Sequence, residues 1–195
     1  MQRYLFIDRD GTLVLEPLDY KVDSLEKIAF YPEIFYWLGR IVREMDYELI
    51  MVTNQDGLGS ERLQEELFWP PHEFIMRTFA NEGICFKEVH IDRTYAWENA
   101  PTRKPGTGML TRFLTEPGHD LASSFVIGDR LTDMELAKNL GAKGFWLKQD
   151  PALGAHEIKG PRHELDDVIA VTSERWEDIY YFLKNNTLKD EEVRR

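Results

Sequence analysis

The chain has a single cysteine, Cys85, among 195 residues, which excludes a disulfide framework and any multi-cysteine zinc site. Long apolar runs are missing too. The longest, such as Leu49–Val52 and Phe125–Ile127, are a fraction of the roughly 20 residues that a membrane-spanning helix needs. Met1-Gln2-Arg3-Tyr4 leads straight into a strand-like segment without signal-peptide architecture, so the expected compartment is the cytoplasm and the sequon Asn185-Asn186-Thr187 is expected to stay idle. Positive charge is scarce: 24 Lys and Arg against 35 Asp and Glu give a net charge of −11, which argues against nucleic-acid and anionic-membrane partners. A small anionic substrate is still compatible with this balance, provided a metal ion and a few local cations reverse the field at its site. Hydrophobic residues at 43% and charged ones at 30% exclude a disordered chain, and the length suits one α/β domain.

Strand-like and helical patterns alternate along the chain. Tyr4–Ile7 predicts a short buried strand that ends in Asp8-Arg9-Asp10-Gly11. Ile34, Phe35, Leu38, Ile41, Val42 and Met45 form one face of a helix opened by Pro32. Further strands are expected at Glu48–Val52, Phe86–Ile91, Phe125–Ile127, Gly144–Leu147 and Val168–Val171. Between them lie a helix starting near Pro70-Pro71 and stopping at Gly83, one carrying Met109 and Phe113, and one stopped by Gly141; a last helix runs from Ser173. Residues 92–106 and 150–167 read as loops, the latter exposed. The fold class is therefore α/β, a Rossmann-like parallel sheet with helices on both faces, and ligands are expected at the carboxyl ends of its strands. Residues 1–184 are expected to form the domain, and the polar stretch 185–195 a tail or the start of a linker.

The strand ends collect chemistry. Asp8 and Asp10 follow the first strand, Thr53 and Asn54 end the second, Asp129 ends the fourth with Asp133 one helical turn on, and Lys104 lies in the loop at 92–106. Carboxylates gathered at one edge repel each other unless a cation joins them, and a hard divalent ion with oxygen ligands, Mg²⁺, suits the set. Asp8 and Asp10 are two residues apart, so an extended strand end aims both the same way, and Gly11 lets the backbone turn beside a ligand.

These residues carry a resemblance. Phe6-Ile7-Asp8-Arg9-Asp10-Gly11-Thr12-Leu13, Val52-Thr53-Asn54-Gln55, Arg103-Lys104-Pro105 and Gly128-Asp129-Arg130-Leu131-Thr132-Asp133 resemble the four motifs of the haloacid dehalogenase superfamily in its phosphatase form. Val52-Thr53-Asn54-Gln55-Asp56-Gly57-Leu58-Gly59 and Val126-Ile127-Gly128-Asp129-Arg130 narrow the likeness to the histidinol-phosphate phosphatases, which form the N-terminal part of a bifunctional histidine-biosynthesis enzyme. The resemblance covers roughly residues 3–150 and is looser beyond. It implies that Asp8 is the nucleophile and Asp10 the general acid and base, and that Asp8, the backbone carbonyl of Asp10, and Asp129 hold Mg²⁺. It further implies that Thr53, Asn54 and Lys104 bind the phosphoryl group, while Asp133 orients a metal water or Lys104. Gln55 and Arg103 are candidates for contact with the substrate, a small phosphorylated metabolite. In the bifunctional relatives a dehydratase domain follows, so one is expected after this stretch.

One departure from the family pattern matters. Related phosphatases carry a zinc loop of Cys and His ligands before the Arg-Lys-Pro motif, whereas Asp92–Thr102 contains neither residue type; no zinc is expected, and Tyr95 and Trp97, if buried, with Pro101 and Pro105, are expected to stiffen the loop instead. Cys85 is expected to be a small buried hydrophobe, and His72, His90, His119, His156 and His163 share no ligand spacing. No large cap domain is expected, because the segment from Thr53 to Phe86 is too short for one; Gln55–Arg62 and Asp92–Arg103 are expected to shape the pocket. The same motifs serve sugar-bisphosphate phosphatases of the heptose type, which differ in the leaving group, and non-catalytic phosphate-binding members, whose expected mark is loss of the residue at Asp10.

Overall fold

The structure is a computed structural model that describes residues 1–147 and 152–193. Its centre is a six-stranded, all-parallel sheet. The strands are β1 (Tyr4–Ile7), β2 (Glu48–Asn54), β3 (Phe86–Asp92), β4 (Phe125–Gly128), β5 (Lys143–Leu147) and β6 (Ile169–Ser173), in the order β3-β2-β1-β4-β5-β6. The helices are α1 (Ile34–Glu44), α2 (Glu65–Asn81), α3 (Thr111–Thr115), α4 (Leu131–Leu140) and α5 (Trp176–Val193).

The inner strands β2, β1, β4 and β5 are buried on both faces because both faces are covered. Leu5 and Ile7 of β1, with Leu49 and Met51 of β2, pack on one side against α1, α2 and α5 through Leu38, Phe79 and Tyr180. Tyr4 and Phe6, with Ile50 and Val52, face the other side and meet Phe113 of α3 and Leu136 of α4. This alternation is the period of two that a strand imposes. Chain direction reverses its walk across the sheet between β1 and β4, so the crevice beyond their carboxyl ends lies at the topological switch point. No large cap interrupts the domain. No helix is long and apolar enough to cross a membrane among the described residues.

The elements fall where the sequence puts them, with four differences. α2 begins at Glu65, not near Pro70, and carries Pro70 and Pro71 inside it. Each proline removes one helical hydrogen bond, a loss offset by the burial of Phe68, Ile75 and Phe79 on one face. Cys85 is exposed, since it lies just before the edge strand β3 rather than under a helix. The stretch after 184, expected as a tail or the start of a linker, is helical as far as Val193, where α5 ends. Part of the expected exposed loop at 150–167 lies outside the described residues; the rest buries Leu165 in a 3₁₀ turn and brings Glu157 to the functional edge.

Candidate active site

A cavity of about 440 Å³ opens at the carboxyl end of the sheet, lined among others by Asp8, Asp10, Thr53, Asn54, Gln55, Arg103 and Lys104. The topology thus brings the expected residues to one place, with oxygens of Asp129 and Asp133 within 4.8 Å of one of Asp8.

Asp8 is buried; its Oδ1 accepts a hydrogen bond from the Arg9 amide at 2.7 Å and forms an ion pair with the Lys104 ammonium at 2.9 Å. Lys104 lies between Asp8 and Asp133, reaching the Oδ1 of Asp133 at 2.8 Å. The other oxygen of Asp133 accepts the Arg130 amide at the start of α4, so the helix holds this carboxylate in place. Asp129 is different. It is 1% exposed, and neither of its oxygens has a hydrogen-bond partner among the described residues. Burial, with the charges of Asp8 and Asp133, pushes its carboxyl well above the ordinary carboxylate range. Burial likewise raises Asp8 to about 6, against the pull of Lys104.

Asp8, Asp129 and Asp133 each offer an oxygen within 4.8 Å of the others. One ammonium cannot neutralise three carboxylates, and two orphaned, fully buried oxygens are costly to leave without a partner. An all-oxygen donor set of this kind fits a hard divalent cation. Two glycines leave room for the carboxylates to sit there. A Cβ at Gly11, whose φ is +74°, would lie 2.3 Å from Asp129 Oδ2, and one at Gly128 would lie 2.2 Å from Asp133 Oδ2.

Asp10 is satisfied by protein alone. Arg9 grips both its oxygens at 2.8 Å, and Gln55 Nε2 adds a bond at 2.9 Å. Burial would raise its carboxyl, but the charge and hydrogen bonds of Arg9, with Gln55, outweigh burial and hold it below the ordinary value. Arg9 is itself fully buried, with its guanidinium 4.9 Å from the Phe68 ring centroid and 3.4 Å from His72 Nδ1. Burial, followed by the charge of Arg9, depresses the His72 imidazole to about 4, so this ring stays neutral and accepts.

Several expected contacts have other partners. Gln55 is buried, with its amide taken up by Asp10, Thr53 and Arg9, so it braces the site instead of reaching outward. Asn54 is bonded through both polar groups to the Lys104 backbone, at 3.0 and 3.2 Å, and fixes the loop that carries the lysine. Arg103 is 8% exposed and pairs with Asp56 at 2.6 Å, Glu157 at 2.7 Å and the Thr94 carbonyl at 3.1 Å. Thr53 accepts from Gln55 at 2.9 Å, which leaves its own hydroxyl hydrogen for another acceptor.

Glu16, Tyr20, Asp56, Arg130 and Glu157 also line the cavity. Arg130 donates to both oxygens of Glu16, at 2.7 and 2.9 Å, and burial still raises that carboxyl to about 7. Arg9 and Arg130 stand beside the motif aspartates in sequence, which was their only cue. Glu157 carried none.

The chain is similar to known proteins along most of its length. A family model described as HAD-hydrolase-like matches residues 101–171. The "histidine biosynthesis bifunctional protein HisB" of Bacteroides fragilis is 48% identical over 183 residues, which is 93% of this chain and 47% of that protein. The protein of the same name from Spirosoma linguale is 47% identical over 188 residues, 94% of this chain and 49% of that one. The chain thus spans about half the length of the curated relatives it matches. Among solved structures, D,D-heptose 1,7-bisphosphate phosphatase from B. bronchiseptica, complexed with magnesium and phosphate, superimposes with a TM-score of 0.76 at 20% identity, covering 95% of this chain and 99% of that chain. That likeness shows the fold.

Proposed function

The chain belongs to the HAD-like hydrolases, in their phosphatase branch, and on that premise we propose that it hydrolyses histidinol phosphate to histidinol and inorganic phosphate through an aspartyl-phosphate. The observation that carries the mechanism is Asp8, fixed by Lys104 through one oxygen, beside the buried and unpartnered Asp129. The relatives named HisB support the choice of substrate and, being bifunctional and about twice as long, also support the expected dehydratase domain as part of the same proposal.

Asp8, Asp129 and the backbone carbonyl of Asp10 would hold Mg²⁺, with Asp133 positioning Lys104. When bound, the cation supplies the neutralisation that lets a carboxylate approach a phosphoryl dianion. Asp8 Oδ1 is engaged by Lys104 and the Arg9 amide, which leaves Oδ2 to attack phosphorus. As that bond forms, the ester P–O bond breaks, and Asp10 gives a proton to the departing alcohol oxygen. Asp10 is ionised in the free protein; the arriving dianion raises its proton affinity, so the proton is taken up with the substrate. Water then attacks phosphorus while Asp10 accepts its proton, and the P–O bond to Asp8 breaks, which restores the carboxylate and frees inorganic phosphate. Thr53 donates its free hydroxyl hydrogen, and Asn54 its second amide hydrogen, to phosphoryl oxygens.

Phosphate release with Mg²⁺ from histidinol phosphate, set beside heptose bisphosphate and other sugar phosphates, tests the reading. Histidinol phosphate is expected to give the highest kcat/KM, and chelation to abolish turnover. Preference for a sugar bisphosphate would overturn the substrate, and no Mg²⁺-dependent release from any of them would overturn the enzyme.

A further inference from the structure

The cavity wall at Arg103 has an unbalanced charge. Arg130 is matched by one carboxylate, Glu16. Arg103 is matched by two, Asp56 through one guanidinium nitrogen and Glu157 through the other. One negative charge is therefore in excess on this wall, in the cavity that holds Asp8. The two acids are not equivalent. Glu157 is 13% exposed, with Oε2 on Arg103 and Oε1 3.9 Å from the His156 ring. Asp56 is 36% exposed; its Oδ1 takes the Arg103 hydrogen bond, and its Oδ2 accepts none among the described residues. It is an acceptor of full charge, held at a fixed angle by Arg103 and open to the cavity.

We infer that Asp56 is a specificity-determining residue that accepts, through Oδ2, the ammonium of an amino-alcohol phosphate. The inference rests on the function proposed above and deepens it by assigning the leaving-group contact. A primary ammonium brings three donors and one positive charge, which matches what this wall lacks. Arg103 thereby acts as a positioning residue: it holds both acids and, through the adjacent residue, ties them to the Lys104 loop. Lys21 and Arg62 also line the cavity, with the Lys21 ammonium 3.4 Å from the Arg62 carbonyl in an exposed contact. Exposed cations are screened by water and attract weakly, so they do not cancel a carboxylate locked on a buried arginine.

The test measures discrimination between histidinol phosphate and its des-amino analogue, imidazolylpropyl phosphate, as the ratio of kcat/KM values. The wild type is expected to favour the amine by on the order of tenfold, mostly through KM. Asp56→Asn is expected to collapse the ratio toward one, and Asp56→Glu to keep most of it. A structural role exercised through Arg103 would lower both substrates together and leave the ratio intact, which would overturn the inference. So would a wild type with no preference for the amine, a measurement that needs no variant to fold. A preference for a bisphosphate, with its second anionic group, would give the specificity to Lys21 and Arg62 and overturn it too. If the wild type releases phosphate from neither imidazole substrate, the proposed function fails first; if it hydrolyses both equally, the function stands and only the role of Asp56 falls.

Discussion

Asp8 and Asp10 leave the same strand end two residues apart, yet their surroundings are opposite. Around Asp8 the protein places more carboxylate than it neutralises: one lysine serves Asp8 and Asp133, and Asp129 has no partner. Around Asp10 the protein supplies everything, with Arg9 on both oxygens and Gln55 on one. On the proposed reading, one side needs a cation from outside to complete it; the other is complete on folding. The first must therefore respond to metal in stability and activity alike, and the second only to changes in the protein.

The largest effect expected is on the nucleophile. Asp8→Asn removes the attacking oxygen and is expected to lower phosphate release by about 10³-fold or more. Near wild-type turnover would end the covalent mechanism.

Metal removal separates the two sides next. Asp8 titrates at about 6 in the folded protein against an ordinary 3.8, and Asp129 is also displaced upward. A raised carboxyl binds its proton more tightly when folded, so its stabilisation is full below pH 3.8 and is lost as pH rises through about 6. Metal-free protein is thus expected to lose on the order of a few kcal/mol from these groups as pH rises from about 4 to 7. Mg²⁺ is expected to reverse that loss, and calcium, with its looser geometry, to occupy the site but inhibit. Thermal melting across this pH range, with and without Mg²⁺, checks the sign; metal-independent melting at pH 7 would contradict the cation site. Asp129→Asn is expected to raise the metal-free melting temperature at pH 7 and to remove the Mg²⁺ response.

A smaller effect is expected on the other side. Arg9→Lys keeps a charge but loses the two-pronged grip on Asp10, so kcat is expected to fall about tenfold with little change in KM. The Mg²⁺-induced shift in melting should persist. Loss of that shift would mean that the two sides are not independent.

What the sequence made legible follows the same division. Asp8, Asp129 and Lys104 could be placed because each sits at a strand end or in a motif loop, and backbone direction alone decides where such residues go. Residues whose role depends on side-chain partners could not. Gln55 and Arg103 are polar and border the cavity, so they read as substrate contacts, but their partners Asp10, Asp56 and Glu157 lie on segments that only the fold brings near. The start of α2 was hidden because two prolines look like a helix entrance, while the burial of Phe68 that sustains the earlier turn is a tertiary fact. Glu157 lies in a stretch whose polarity suits solvent equally well.

The loop at 92–103 supports the smallest and most discriminating prediction. The sequence offered Tyr95 and Trp97 as apolar stiffeners in place of a zinc site, but Trp97 is 73% exposed and only stacks on Tyr95 at 4.1 Å. The loop is tied by polar groups instead. The buried Asp92 carboxylate accepts the Thr94 amide and hydroxyl at 2.9 and 2.6 Å and the Thr102 hydroxyl at 2.6 Å, and the Tyr95 hydroxyl meets Ser60 at 2.7 Å. Asp92→Ala would leave two hydroxyls and an amide without their acceptor and is expected to cost about 1–3 kcal/mol, with a higher KM as the Lys104 loop loosens. Trp97→Ala removes mostly solvent-exposed surface and one stacking contact, for less than about 1 kcal/mol. Denaturant titration of the two variants ranks them. Because the polar ties need no thiolate or imidazole, purified protein is expected to hold no stoichiometric zinc, and a zinc-selective chelator to leave Mg²⁺-supported turnover unchanged. A tightly bound zinc whose removal costs more stability than Asp92→Ala would reverse that account of the loop.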